Sequence, residues 1–159
     1  AVPVQTPSES RTAFLLTLHQ HLLLISTTMT TISRLYIPVE PAPASRPKVN
    51  KFGVTYAKSH LAYVRAATPY VVVQNDLTYY PTEPLNVTMS FVCTKAKTSR
   101  LLIPRYDIDN LVKLPLDIMT KAGHFWKDDV QIAEIHATKR FALPDEQAGV
   151  TITYTLWEE

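Results

Sequence analysis

Two stretches of the chain alternate cleanly between apolar and polar residues. Leu85, Val87, Met89, Phe91 and Cys93 are spaced by Asn86, Thr88 and Ser90, and Val150, Ile152, Tyr154 and Leu156 by Thr151, Thr153 and Thr155. A period of two marks a strand with one buried face, so strands are predicted over residues 85–94 and 150–156. A looser alternation from Ile32 to Val39 predicts a first strand, and Gly53 followed by Val54-Thr55-Tyr56 a short one leaving a turn. Val130 to Phe141 predicts a further strand. Its apolar parity slips between Ile132 and Ala133, which implies a bulge or burial on both faces.

Two segments carry helical spacing. Leu61, Val64 and Arg65 fall on successive turns of a helix over about residues 60–75, with Ser59 as a candidate cap. Pro69 is expected to kink or end it, because proline removes a backbone donor and clashes one turn back. Leu111, Leu114, Ile118 and Met119 form the apolar face of a second helix, capped by Asp109, running to Lys121 and stopped by Gly123. Pro115 predicts a kink or a tightened first turn there. Pro38, Pro41, Pro43 and Pro47 forbid regular structure until Val49, residues 81–84 form a connection, and residues 143–149 read as a hairpin-like loop. The resulting order, β-β-α-β-α-β-β, predicts an α/β (α+β) fold: a single mixed or antiparallel sheet with helices packed on one side.

Composition narrows this picture without changing it. The chain has 159 residues, 46% hydrophobic and 19% charged, which suits one globular domain and excludes bulk disorder. Residues 1–28 read differently from the rest. Two short apolar runs, Phe14 to Leu18 and Leu22 to Ile25, are too interrupted to span a bilayer, so no membrane association is expected. The segment lacks a clear signal-peptide pattern, and its Ser/Thr-rich, acid-poor character only loosely suits a transit peptide. The preferred reading makes Met29 an alternative start, residues 1–28 an extension outside the core, and residues 29–159 the domain. Cys93 is the lone cysteine, sits in the apolar run Phe91-Val92-Cys93, and is expected buried and unreactive. His19 and His21 have no second ligand pair nearby, so zinc is not expected.

A net charge of +2 is weak testimony for a nucleic-acid partner, but the basic residues cluster. Arg46, Lys48, Lys51, Lys58 and Arg65 fall in one stretch, and Lys95, Lys97, Arg100 and Arg105 in another. Chemistry concentrates between them and the last strands. Asp107 and Asp109, two residues apart at a loop-to-helix junction, can converge on one hard cation, since magnesium takes oxygen ligands and keeps several waters. Lys113 follows Asp109 by one turn on the same face. A second pair, Asp128-Asp129, stands after the helix at the entrance to a strand. If helix and strand pack side by side, both pairs can meet at one end of the sheet. Taken alone, each pair could equally be a cap or a surface turn. Together they raise one another's pKa unless cations neutralise them.

The run Asp107-Ile108-Asp109-Asn110-Leu111-Val112-Lys113, then Leu116-Asp117, Thr120-Lys121-Ala122-Gly123 and Phe125-Trp126-Lys127-Asp128-Asp129-Val130-Gln131-Ile132, resembles the signature of the RusA family of Holliday-junction resolvases. Upstream, Arg46-Pro47-Lys48 with Gly53 and Tyr56 resembles that family's Arg-Pro-Arg stretch, and Lys139 matches a basic residue on the strand after the Asp-Asp pair. The likeness covers roughly residues 33 to 156. It departs from the family at His124, which looks like a one-residue insertion, and at Pro115, where a good helix former is usual.

The resemblance implies an intracellular, cytoplasmic homodimer that binds four-way DNA junctions and nicks them in pairs with Mg²⁺ or Mn²⁺, in recombination and repair. It implies Asp107, Asp109 and Asp129 as metal ligands, with Asp128 as an additional candidate, and Lys113 as the essential lysine. Arg46, Lys48, Lys51, Arg105 and Lys139 are the expected DNA contacts. A branched-DNA-binding module with a structural metal that cuts nothing is the alternative, which Lys113 argues against. A nucleotide hydrolase lacks its Gly-rich phosphate loop here. Among weaker signals, Asp117 is expected to pair with Lys113 or pack near the site. Glu134 is expected on an exposed strand face, Trp126 in the core or a dimer contact, His136 in a structural role, and Tyr79-Tyr80 either packed or stacked on a base.

Overall fold

A computed structural model describes residues 30–159; the predicted extension, with His19 and His21, lies outside the described residues. Three strands come first: β1 (Ser33–Ile37), β2 (Lys48–Asn50) and β3 (Gly53–Thr55). Then follow α1 (Lys58–Val73), β4 (Leu85–Cys93), α2 (Ile108–Ala122), one 3-10 turn at Asp129–Gln131, β5 (Ile132–Phe141) and β6 (Gly149–Leu156). Four strands form a mixed sheet in the order β1-β6-β4-β5, antiparallel except for the β4/β5 pair. Parallel neighbours need a crossover, and α2 lies within the one that joins β4 to β5.

The alternation read in the sequence sorts the two faces. Leu85, Val87, Met89, Phe91 and Cys93 of β4, Val150, Ile152 and Tyr154 of β6, and Leu35 and Ile37 of β1 are all buried. Against them α1 sets Tyr63, Ala67 and Val71, and α2 sets Leu111, Leu114, Ile118 and Met119, in one continuous core. Both helices therefore cover the same side, as predicted. The opposite face carries the threonines of β6 beside Thr88 and Ser90 of β4. The parity slip in β5 is a bulge: Leu85 pairs with Ile132 but Asn86 pairs with Glu134, leaving Ala133 as the extra residue. Cys93 is buried, and burial pushes its thiol up to about 11, far from a nucleophile's range.

Several local expectations need correction. The short strand at Gly53 has a partner that the prolines concealed, since β2 pairs with β3 as a separate two-stranded ribbon. Its turn is closed by Asn50 Oδ1 accepting the Phe52 N–H at 2.9 Å, with Gly53 at φ 122°, a conformation that favours glycine. α1 starts at Lys58 and is not capped by Ser59; the N–H of the boundary residue Ala57 donates instead to Ser45 Oγ, 2.9 Å away. Pro69 and Pro115 both lie inside helices without ending them. Buried residues on both sides of each (Ala67 and Val71, Leu114 and Leu116) offset one lost hydrogen bond. The boundary residue of α2 is Asp107, two residues earlier than the predicted Asp109, whereas Gly123 closes the helix in the left-handed region at φ 74° as expected.

Candidate active site

The polar face of α2 is a stripe of alternating charge. Asp109, Lys113, Asp117 and Lys121 recur every four residues, opposite the buried Leu111, Leu114, Ile118 and Met119. At its N-terminal end, Asp107 caps the helix only through its backbone: its carbonyl accepts the Leu111 N–H at 3.1 Å, and its side chain makes no capping bond. Asp107 and Asp109 are exposed. Two carboxylates with no structural task stand at the positive end of a helix dipole, which favours their charge.

The segment that carries them is tied down from the sheet. Lys139 of β5 donates its Nζ to the carbonyl of Tyr106, the residue before Asp107. Lys139 is half-buried, so it holds the approach to α2 and is not a freely projecting cation. The proline-rich loop is strapped on as well, through Ala44 N–H to Asn110 O at 2.8 Å. Glu40 fastens its other end by accepting from Thr94 N at 3.0 Å and from Thr94 Oγ1 at 2.6 Å.

The second acidic pair is built differently. Asp128 Oδ1 accepts the Val130 N–H at 3.0 Å, while Gln131 Oε1 accepts the N–H groups of Asp128 at 3.1 Å and Lys127 at 2.9 Å. This is a reciprocal capping box, so the Asp128 carboxylate already has a structural partner. Gln131 Nε2 donates in turn to Tyr80 O at 3.1 Å and Glu83 O at 3.0 Å, anchoring the turn to the segment before β4. Behind it, Trp126 donates Nε1–H to Thr120 Oγ1 at 2.8 Å and packs edge-on against Tyr154, centroids 5.5 Å apart. Tyr80 is buried beside the same Tyr154, whereas Tyr79 is exposed. Both Trp126 and Tyr80 are core residues.

Asp129, by contrast, shares a side-chain hydrogen bond with Asp128, and its pKa is raised. Partial burial is the largest cause, followed by the adjacent Asp128 carboxylate and then Asp117. Asp117 thus acts on Asp129; no ion pair between Asp117 and Lys113 forms among the described residues. Glu134 lies on the open face, accepting from Asn86 Nδ2 at 3.1 Å and pairing with His136 at 2.6 Å. The predicted convergence of the two acidic pairs does not occur within one chain. Tyr106 sits by Lys139, whereas Asp129 precedes Ile132 at the other end of β5; seven residues of strand separate these points, roughly 23 Å. Among the described residues no three His, Cys, Asp or Glu side chains form a cation cage. The donor set nevertheless fits a hard cation: all-oxygen, exposed, and mutually repelling at Asp128-Asp129. Magnesium commonly binds through one or two protein carboxylates plus substrate phosphate.

The predicted DNA contacts Arg46, Lys48, Lys51 and Arg105 are exposed. Lys48 and Lys51 lie on the β2–β3 ribbon, where Lys51 Nζ rests 5.0 Å from the centre of the 87 %-exposed Phe52 ring. A cleft of about 370 Å³ opens between the proline-rich loop, α1 and α2, lined among others by Tyr56, His60, Lys113, Asp117 and Lys121. Sequence reading passed over His60 and Gln131. His60 carried no motif, but Gln131 sat inside the quoted Asp-Asp-Val-Gln run and its spacing from Asp128 is that of a capping box.

No curated protein matches the chain. The family described as endodeoxyribonuclease RusA matches residues 38–154, nearly the whole described domain and every candidate residue above. The match agrees with the resemblance read from the Asp107–Ile132 motif, and no helix among the described residues is long and apolar enough to cross a membrane. A mixed sheet covered on one face by two helices, free carboxylates at the mouth of α2 and this match together place the chain in the RusA family of Holliday-junction endodeoxyribonucleases.

Proposed function

We propose that the protein is a magnesium-dependent, homodimeric endonuclease that resolves four-way DNA junctions by paired hydrolysis of phosphodiester bonds, in recombination and repair inside the cell. The observation that carries this reading is the pair Asp107 and Asp109, exposed and without capping duty, one turn before Lys113. Asp107 and Asp109 would hold the cation with Asp129, and manganese suits the same oxygen donors. When bound, the cation activates water and offsets charge on the leaving oxygen.

The chain's own residues do the rest. Lys113 offsets negative charge gathering on the phosphate. Lys139 and Gln131 fix the backbone that presents each acidic pair. Arg46, Lys48, Lys51 and Arg105 hold DNA phosphates, which makes binding steeply salt-dependent. Among the described residues of one chain no three acidic side chains gather around one point, and a two-fold partner is the economical way to complete a site. Two such sites also match the two nicks that resolution requires.

The test is cleavage of a labelled four-way junction, with linear duplex alongside, with and without Mg²⁺, for the unaltered protein and for Asp109→Asn. Paired nicks in the junction that need the metal and vanish in the variant are expected. Full activity of Asp109→Asn overturns the assignment, and binding without cutting under every divalent metal favours a non-cleaving junction-binding protein.

A further inference from the structure

The cleft between α1 and α2 contains an imidazole held in one orientation. Ser45 N–H points at His60 Nδ1, 3.2 Å away. A backbone N–H can only donate, so Nδ1 is the acceptor and the proton of the neutral ring sits on Nε2. Ser45 is itself fixed, its Oγ accepting the Ala57 N–H at 2.9 Å and lying 3.4 Å from Nδ1. Tyr56 stacks on the other side, ring centroids 4.5 Å apart and planes 29° from parallel. Nε2 has no protein partner among the described residues, and the ring lines the cleft. The pKa of His60 is lowered, chiefly by burial, with Asp117 opposing and Lys121 and Lys113 adding to the shift.

The other charged groups in the cleft are Lys113, Asp117 and Lys121, all from the stripe on α2. Two cations flank one anion, which leaves a net positive wall. The stripe begins at Asp109, and four residues of helix advance only about 6 Å, so the cleft continues directly from the carboxylates assigned to cutting. A volume of about 370 Å³ is in the range of sites that enclose small ligands.

We infer that this cleft is a phosphodiester subsite, in which His60 Nε2–H and Lys121 bind a backbone phosphate next to the one that is cut. This assignment rests on the nuclease reading for its ligand, DNA, but not on catalysis for its test. His60 supplies a directional hydrogen bond without charge, and Lys121 supplies charge. The two contributions differ in their response to salt: losing a cation removes counterion release, whereas losing a neutral donor does not.

The experiment measures binding of four-way junctions in EDTA, each with one phosphate near the exchange point replaced by a neutral methylphosphonate. For the unaltered protein, one replacement is expected to weaken binding about tenfold, the worth of one hydrogen bond to a charged group. His60→Asn keeps an acceptor for Ser45 N–H but loses the Nε2 donor; it should bind the native junction about tenfold more weakly. It should also be less sensitive to that one replacement than the unaltered protein, keeping only the part that Lys121 contributes. His60→Gln places a donor near the Nε2 position and should retain the contact. The salt slope should be unchanged in His60→Asn and smaller by about 0.9 in Lys121→Ala.

A purely structural His60 predicts the reverse order, with Asn tolerated and Gln harmful, and that result overturns the subsite. So does a phosphate scan identical in His60→Asn and the unaltered protein. If His60→Asn fails to fold, the exposed Lys121→Ala decides: the effect of that same single phosphate must shrink, and no change there refutes the subsite. Metal-dependent cutting without this coupling leaves the nuclease reading standing and removes the subsite. The coupling without any cutting does the opposite.

Discussion

Replacing Gln131 by alanine would break the support of the second acidic pair without touching a carboxylate. The side chain makes four hydrogen bonds, two accepted from the Lys127 and Asp128 N–H groups and two donated to the Tyr80 and Glu83 carbonyls. At a net ~0.5–1.5 kcal/mol each the total spans about 2–6 kcal/mol. Water can replace the two bonds on the exposed turn, so the half-buried carbonyl bonds dominate and about 2–3 kcal/mol is expected. For a domain of this size that is a fall in Tm of roughly 8–12 °C. Released from its anchor, the Asp128-Asp129 turn can drift by an ångström, which costs cleavage about 10²-fold well below the melting temperature. Gln131→Glu sharpens the case. It keeps the two accepted bonds but sets a carboxylate against two carbonyls, so it should be at least as unstable at pH 7. It should recover partly below its pKa, where the protonated acid can donate to one of them. Thermal melts at pH 7 and pH 4, with junction cleavage at 20 °C, read both quantities. A Gln131→Ala protein within ~0.5 kcal/mol of the unaltered one and fully active would refute this account of how Asp129 is held.

Asp107→Asn and Asp129→Asn should each cut cleavage by orders of magnitude with junction affinity kept or raised. Asp128→Asn should do less harm, because asparagine can still accept the Val130 N–H; equal loss at 128 and 129, by single-turnover cleavage, contradicts the division of labour between them. Gly149→Ala would place a Cβ 2.6 Å from the Ile37 carbonyl and 2.7 Å from Tyr36 Oη, so β1 must move off β6; a loss of about 1–3 kcal/mol in urea unfolding is expected. Arg140 grips Glu146 through two 2.6 Å contacts and, with the Leu143 N–H, depresses its pKa from 4.5 to about 2. A depressed carboxylate stabilises above its unfolded pKa, so the advantage over Glu146→Gln should be complete above about pH 5 and vanish as pH falls through 2. A chain starting at Met29 should remain soluble and cut junctions nearly as well as the full sequence; a soluble but inactive truncation would show that the extension takes part.

The sequence by itself determined the strands whose faces differ. Alternation at Leu85–Cys93 and Val150–Leu156 fixes which side chains go inward, because a one-residue slip would expose the whole apolar set. The parity slip at Ala133 was legible for the same reason, and Gly123 marked the end of α2 through the one residue type suited to φ 74°. The Asp107–Ile132 motif carried the family. Tertiary structure decided what local pattern leaves open. β2 emerges from Pro47 only because β3 pairs with it, and Pro69 and Pro115 stay inside helices because long-range burial outweighs a lost local bond. The same holds for the site. Spacing identified Asp107, Asp109, Asp128 and Asp129, but direction along β5 sets the two pairs at opposite ends, which no spacing reveals. His60 acquired its role from Ser45, fifteen positions away, and from a cleft formed by two helices that the chain joins only after crossing the sheet. Hydrogen-bond geometry of that kind exists only once distant segments have packed.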